Sequence, residues 1–255
     1  MTGPTALLFR AERIKLRRSW SLLAATLTPL SLAAILLQIF WFSEDRVRPL
    51  GAGFQAWYQV TYTAWDLFFL PILIALVGVL SWEAEAEAGS WKHLLLQPVP
   101  RWRHFVAKLM GNLALALLAQ LLFALMLLLG GGILRAEVPT LAMGAVRPGL
   151  LLGLAGASTV ATLPLVGLHT WLPMRFPGMG VSLSVGMLGS WMAFRFAGRF
   201  AVALLLPWGP ASRVVDVLVK GEGPVWAPVL AALACAAVLM VLGGRDFVRR
   251  ETFQD

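Results

Sequence analysis

Uncharged, largely apolar intervals recur along the chain: Ser19 to Ser43 (25 residues), Leu109 to Leu134 (26), Pro148 to Met174 (27), Phe176 to Phe194 (19) and Gly223 to Gly244 (22). A helix needs about 20 such residues to cross a hydrocarbon core. A sixth interval, Pro49 to Trp82, is broken only by Asp66. The pattern predicts an all-α integral membrane protein with six transmembrane helices, at about 21–42, 61–81, 109–130, 150–171, 178–197 and 226–243. The whole of 1–255 then forms a single transmembrane domain.

Composition agrees. Of 255 residues, 59% are hydrophobic and 13% charged, against roughly 25% charged in soluble domains. The net charge of +8 could suggest nucleic acid, but the basic residues lie scattered between membrane-length segments. They report topology instead. With the N-terminus inside, 13 Lys and Arg fall on the inner side and 8 on the outer, which predicts that both termini are cytoplasmic. The first apolar run is too long for a signal-peptide core and is expected to remain as an anchor. Cys235, the single cysteine, permits no intramolecular disulfide.

Three shorter elements join the spans. Residues 6–19 place Leu7, Leu8, Ala11, Ile14 and Lys15 on one helical stripe, with Arg10, Arg13, Arg17 and Arg18 largely elsewhere. This predicts an interfacial helix on an anionic leaflet. Residues 82–108 begin with good helix formers and meet Pro98 and Pro100, so a cytoplasmic helix, a rigid corner and a helix entering the third span are expected. Residues 200–212 are uncharged, short and broken by Pro207 and Pro210. They predict a re-entrant or interfacial piece on the outer face.

Small residues recur every four positions at Gly149, Gly153, Ala157 and Ala161, and again at Gly178, Ser182, Gly186 and Ser190. Such stripes predict tight helix packing. Asp66 follows Trp65 near the expected outer boundary, which suggests interfacial anchoring, with Arg195 and Arg199 as plausible partners.

Enzymatic constellations are missing from the sequence. His93, His104 and His169 form no His-Glu-x-x-His pattern, there is no Gly-x-Ser-x-Gly elbow, and no metal set is expected. Glu83 and Glu85 lie about 200° apart on a helix and cannot converge on one site with Glu87, so the three read as a solvated acidic face. No phosphate-binding loop is present, so the chain cannot hydrolyse ATP alone. An intramembrane enzyme is therefore disfavoured. An ion-coupled secondary transporter, which uses carboxylates or broken helices at the midplane, has only Asp66 in its support.

Several of these residues combine into one pattern. Glu12, Lys15, Leu16 and Ser19 resemble the Glu-x-x-Lys-Leu-x-x-Ser opening of type-2 ABC exporter permeases. Glu85, Gly89 and Ser90, then Leu94, Leu95 and Leu96, then Pro98, Val99 and Arg101, and finally Ala107, Lys108 and Leu109 resemble that family's cytoplasmic element and its entry to the third span. Leu206-Pro207-Trp208-Gly209-Pro210 is similar to a stretch carried by the lantibiotic-immunity and bacitracin-export branch. The resemblance implies a non-catalytic permease in the cytoplasmic membrane of a prokaryote, exporting an amphiphilic or hydrophobic substrate such as a peptide antibiotic, drug or lipid. It implies pairing with a second permease copy or a paralogue above two cytoplasmic ATPase subunits. ATP and Mg belong to the ATPase, and no cofactor is bound by this chain. The coupling set would be Glu85, Gly89, Ser90, Leu94, Leu95, Pro98 and Arg101, with Glu12, Arg13, Lys15 and Leu16 at the membrane interface.

Overall fold

The computed structural model describes residues 10, 12, 14, 15, 19–42, 53–87, 100–138, 147–196 and 204–249, at 84–87 for the backbone alone. Among the described residues there is no strand. The main helices are α1 (Trp20–Phe42), α2 (Gly53–Ala64), α3 (Leu70–Glu87), α4 (Arg101–Glu137), α5 (Pro148–Ala161), α6 (Leu163–Arg175), α7 (Met179–Phe196), α8 (Gly209–Val215) and α9 (Trp226–Arg249).

Proline chemistry explains the two main irregularities. Pro71 would drive its ring into the carbonyl of Leu67 in a regular helix. The chain widens into a π turn over Trp65–Phe69 immediately before it, so α2 and α3 run on as one rod. Pro164, at the start of α6, likewise cannot continue α5. There the axis bends by 42°, and Thr162 N–H closes α5 on the Ser158 carbonyl at 2.9 Å.

Among the described residues, four helical stretches are long and apolar enough to cross a membrane, Trp20–Phe42, Gly53–Glu83, Arg101–Glu137 and Trp226–Arg249, and the bent α5–α6 pair makes a fifth if it counts as one span. Helix α7 coincides with the fifth expected span, but its glycines, serines and Arg195 keep it less apolar than those stretches. The helix carrying the second expected span starts at Gly53, eight residues before Thr61.

The rod α2–α3 occupies the centre. Helix α1 lies along α4, α3 packs on α6 and α7, and α8 wedges between α5 and α9. The main core gathers Trp57, Tyr58, Tyr62 and Trp65 of the rod with Phe123 and Leu127 of α4. Trp65 stacks on Phe123 with ring centroids 4.6 Å apart.

The proline-rich stretch after α7 dips into the bundle. Gly209–Val215 is buried throughout, and the Trp208 ring reaches Gly189 in the second half of α7 and stands 6.4 Å from the His169 ring. Residues 200–203 lie outside the described residues.

Candidate functional site

The C-terminal part of α3 and the N-terminal part of α4 are tied together, and to two other helices, by a cluster of contacts. Trp82, Phe105, Met174 and Phe247 bring the end of α3, the start of α4, the end of α6 and the end of α9 into one apolar knot. Polar groups tie it further. Trp82 Nε1 donates to the Thr170 carbonyl at 2.6 Å, Asn112 Nδ2 donates to Thr170 Oγ1 at 3.0 Å, and Trp171 Nε1 donates to Asp246 Oδ2 at 2.9 Å. Lys108 is buried, its ammonium donating to the Ser81 carbonyl at 2.5 Å and lying 4.5 Å from the Trp82 ring centroid. A desolvated cation on an indole face is worth up to about 2 kcal/mol.

A second polar cluster sits in the middle of the rod. Asp66 is fully buried. Its Oδ1 accepts from Gln120 Nε2 at 3.2 Å and its Oδ2 from Ser158 Oγ at 2.5 Å, while Trp65 Nε1 donates to Gln120 Oε1 at 2.9 Å. One carboxyl thus joins the rod to α4 and α5. Interfacial anchoring of Asp66 does not hold, and its partners are Gln120 and Ser158. Arg195 is exposed and Arg199 lies outside the described residues. An unpartnered charge at the centre of a bilayer would cost roughly 2.5–3.5 kcal/mol; here two donors converge on the buried carboxyl.

The third contact brings α3, α6 and α7 together. Gly78 faces the backbone carbonyl of His169 so closely that a Cβ would overlap it. His169 Nδ1 is 2.9 Å from Ser182 Oγ, and a Cβ at Gly186 would lie 3.2 Å from that of Ala75.

The small-residue stripes divide accordingly. Ser182, Gly186 and Ser190 are buried, and Ala157 packs in a cluster with Ala161, Ala211, Val214 and Ala232. A Cβ at Gly149 or Gly153 would meet nothing within 4 Å among the described residues, so these two make no close helix contact there. Gly178 is not in a helix. It turns the chain between α6 and α7 with φ +95, a backbone conformation that glycine adopts without strain.

Of the expected coupling set, Arg101 is the first residue of α4 and half-buried, whereas Gly89, Ser90, Leu94, Leu95 and Pro98, together with the Glu85 side chain, lie outside the described residues. At the N-terminus, Lys15 Nζ pairs with Glu12 Oε1 at 3.2 Å, and Arg13 and Leu16 lie outside that range too. Sequence reasoning missed Asn112, Gln120, Ser158 and Thr170 as contact makers. Their signal was polarity inside lipid-length intervals, where an amide or hydroxyl needs a protein partner.

These features match a known protein group. The family model described as ABC-2 family transporter protein matches residues 8–189, which contain Lys108, Asp66 and both polar clusters save Asp246 and Phe247. No individually curated protein matches the chain. With well over half of its length matched, and with four or five apolar helices of spanning length among the described residues, the polar-bonded rod being one of them, the chain belongs to the ABC-2 transporter family of multi-pass membrane proteins.

Proposed function

We propose that the chain is the permease subunit of an ATP-driven exporter, with six spans and both termini in the cytoplasm of a prokaryote. It moves an amphiphilic or hydrophobic substrate, such as a peptide antibiotic, drug or lipid, outward across the cytoplasmic membrane. Energy comes from a separate ATPase, two copies per assembly, beneath this chain and a second permease copy or paralogue. ATP and Mg act in that subunit.

The observation that supports this reading most is the knot at the flanks of residues 88–99. Lys108, Trp82, Thr170, Asp246 and Phe247 link α3, α4, α6 and α9 where an ATPase would press on the joining segment. A push there is delivered to packed helices as a rigid-body rotation. Glu85 would pair with a basic groove of the ATPase, and Gly89 would allow close approach.

Glu85→Lys and Gly89→Leu test the assignment. Both variants should insert normally and lose ATPase association or substrate-stimulated ATP hydrolysis. Buried interface charge pairs typically matter by about 2–5 kcal/mol. Glu85→Lys complexes that retain the partner and hydrolyse ATP as wild type does would contradict the coupling role.

Ion-coupled secondary transport draws on one observation, the buried Asp66. Both its oxygens already accept hydrogen bonds from protein donors, an arrangement suited to holding helices together. Transport that survives collapse of the proton gradient but stops with ATP depletion separates the two readings.

A further inference from the structure

A groove of about 740 Å³ runs between the first half of α4 and the last half of α9. Phe105, Leu109, Leu113 and Met240 line its depth. Among the described residues, Arg245 and Arg249 are its only ionisable lining groups, and both are exposed. At 1.5 Å per residue, Arg249 lies about 13 Å along α9 from Met240, so the groove is apolar along its length and cationic at one end. The two arginines are four positions apart, on one face, where like charges repel each other. The carboxylate beside them in sequence, Asp246, is engaged by Trp171 of α6, and neither residue lines the groove. Arg101 and Arg103 begin α4 at this same end, and Trp102 beside them is 50% exposed, an indole of the kind that favours the lipid–water boundary.

An apolar channel about as long as part of an acyl chain, ending in paired guanidiniums, has the chemistry of an anionic amphiphile's binding site. Basic pockets between membrane helices hold anionic head groups, and the arginine fork suits a phosphate. We propose that this groove binds an anionic phospholipid of the adjoining leaflet, with an acyl chain along α4 and α9 and the phosphate at Arg245 and Arg249. The bound lipid relieves the repulsion between the arginines and covers the apolar faces that the two helices leave open.

Native mass spectrometry of the purified full chain, titrated with phosphatidylglycerol or phosphatidylcholine, tests the head-group contact. Phosphatidylglycerol should bind at least tenfold more tightly. In R245Q/R249Q its affinity should fall by about fivefold per arginine, with phosphatidylcholine binding unchanged. Equal affinity for the two lipids, or an unaltered preference in the double variant, would overturn the proposal. Phosphatidylglycerol carrying a mid-chain diazirine tests the groove on the wild-type chain in nanodiscs, with no variant that must fold. Labels should fall on Met110, Leu113 and Met240 and be competed by excess phosphatidylglycerol. Labels confined to other helices would contradict it. So would cross-links from Met240 to residues 1–18 or to a second copy, which would identify a protein occupant.

Discussion

The central rod and the last helix are both apolar enough to span a membrane, yet they sit in opposite surroundings. In their most apolar stretches, 61% of the residues of Gly53–Glu83 are buried within the chain, against 22% for Trp226–Arg249. Apolarity does not separate them, because in lipid a leucine gains little by facing protein rather than an acyl chain. Polar and small side chains do. The rod carries Asp66, which takes up donors from two neighbours, and Gly78, which admits the backbone of α6. Helix α9 contacts its neighbours through Ala232, Ala236, Gly243 and Phe247 and leaves Leu230, Val238, Val241 and Leu242 exposed. Between these two helices, polar groups with partners and a glycine at a backbone approach mark the protein-facing surface that apolarity alone does not.

Substitutions can break this contrast in order of size. Gly78→Leu should have the largest effect, since the atom in the way is a backbone carbonyl that cannot rotate aside. A loss of about 3 kcal/mol, read as a collapse of the monodisperse peak and of the melting temperature in detergent, is expected. Gly153→Leu, with open space around it, should match wild type in the same assays. Asp66→Ala should cost about 2 kcal/mol, because it strands Gln120 and Ser158 without their acceptor, whereas Asp66→Asn, which keeps an acceptor oxygen, should lose less than half of that. Thermal unfolding of the two variants side by side checks the order. Lys108→Met should cost about 1–2 kcal/mol by removing the ammonium from the Trp82 face, visible as a lower melting temperature. Val238→Ala on α9 should stay within about 0.5 kcal/mol of wild type, and a larger loss would show that the exposed face of α9 is packed after all.

The apolar intervals predicted where the long helices lie, because length and charge spacing follow directly from bilayer thickness. Helix ends were less legible. Thr61 was a poor guide to the start of the rod, since Gly53–Tyr62 is aromatic and polar enough to escape an apolar count while burying Phe54, Trp57, Tyr58 and Tyr62. The break at Thr162 was signalled by Pro164, but the uncharged run from Pro148 to Met174 hid it. Asp66 was misplaced for a related reason. Its neighbour Trp65 read as an interfacial anchor, whereas the indole serves the interior by bonding Gln120. Partners more than fifty positions away, such as Ser158 for Asp66 and Thr170 for Trp82, depend on how helices cross, which periodicity along one strand of sequence does not encode. Lys108 was legible as part of a motif, but its burial under Trp82 was not.

The coupling role is tested most directly by site-specific photo-cross-linking in native membranes. A photoreactive residue at Gly89, between α3 and α4, should capture a soluble ATP-hydrolysing subunit at near-stoichiometric yield, while the same probe at Glu137 or Glu222 should capture none. Capture of no ATPase from Gly89, or equal capture from Glu137, would contradict the assignment of this segment as the point where an ATPase drives the permease.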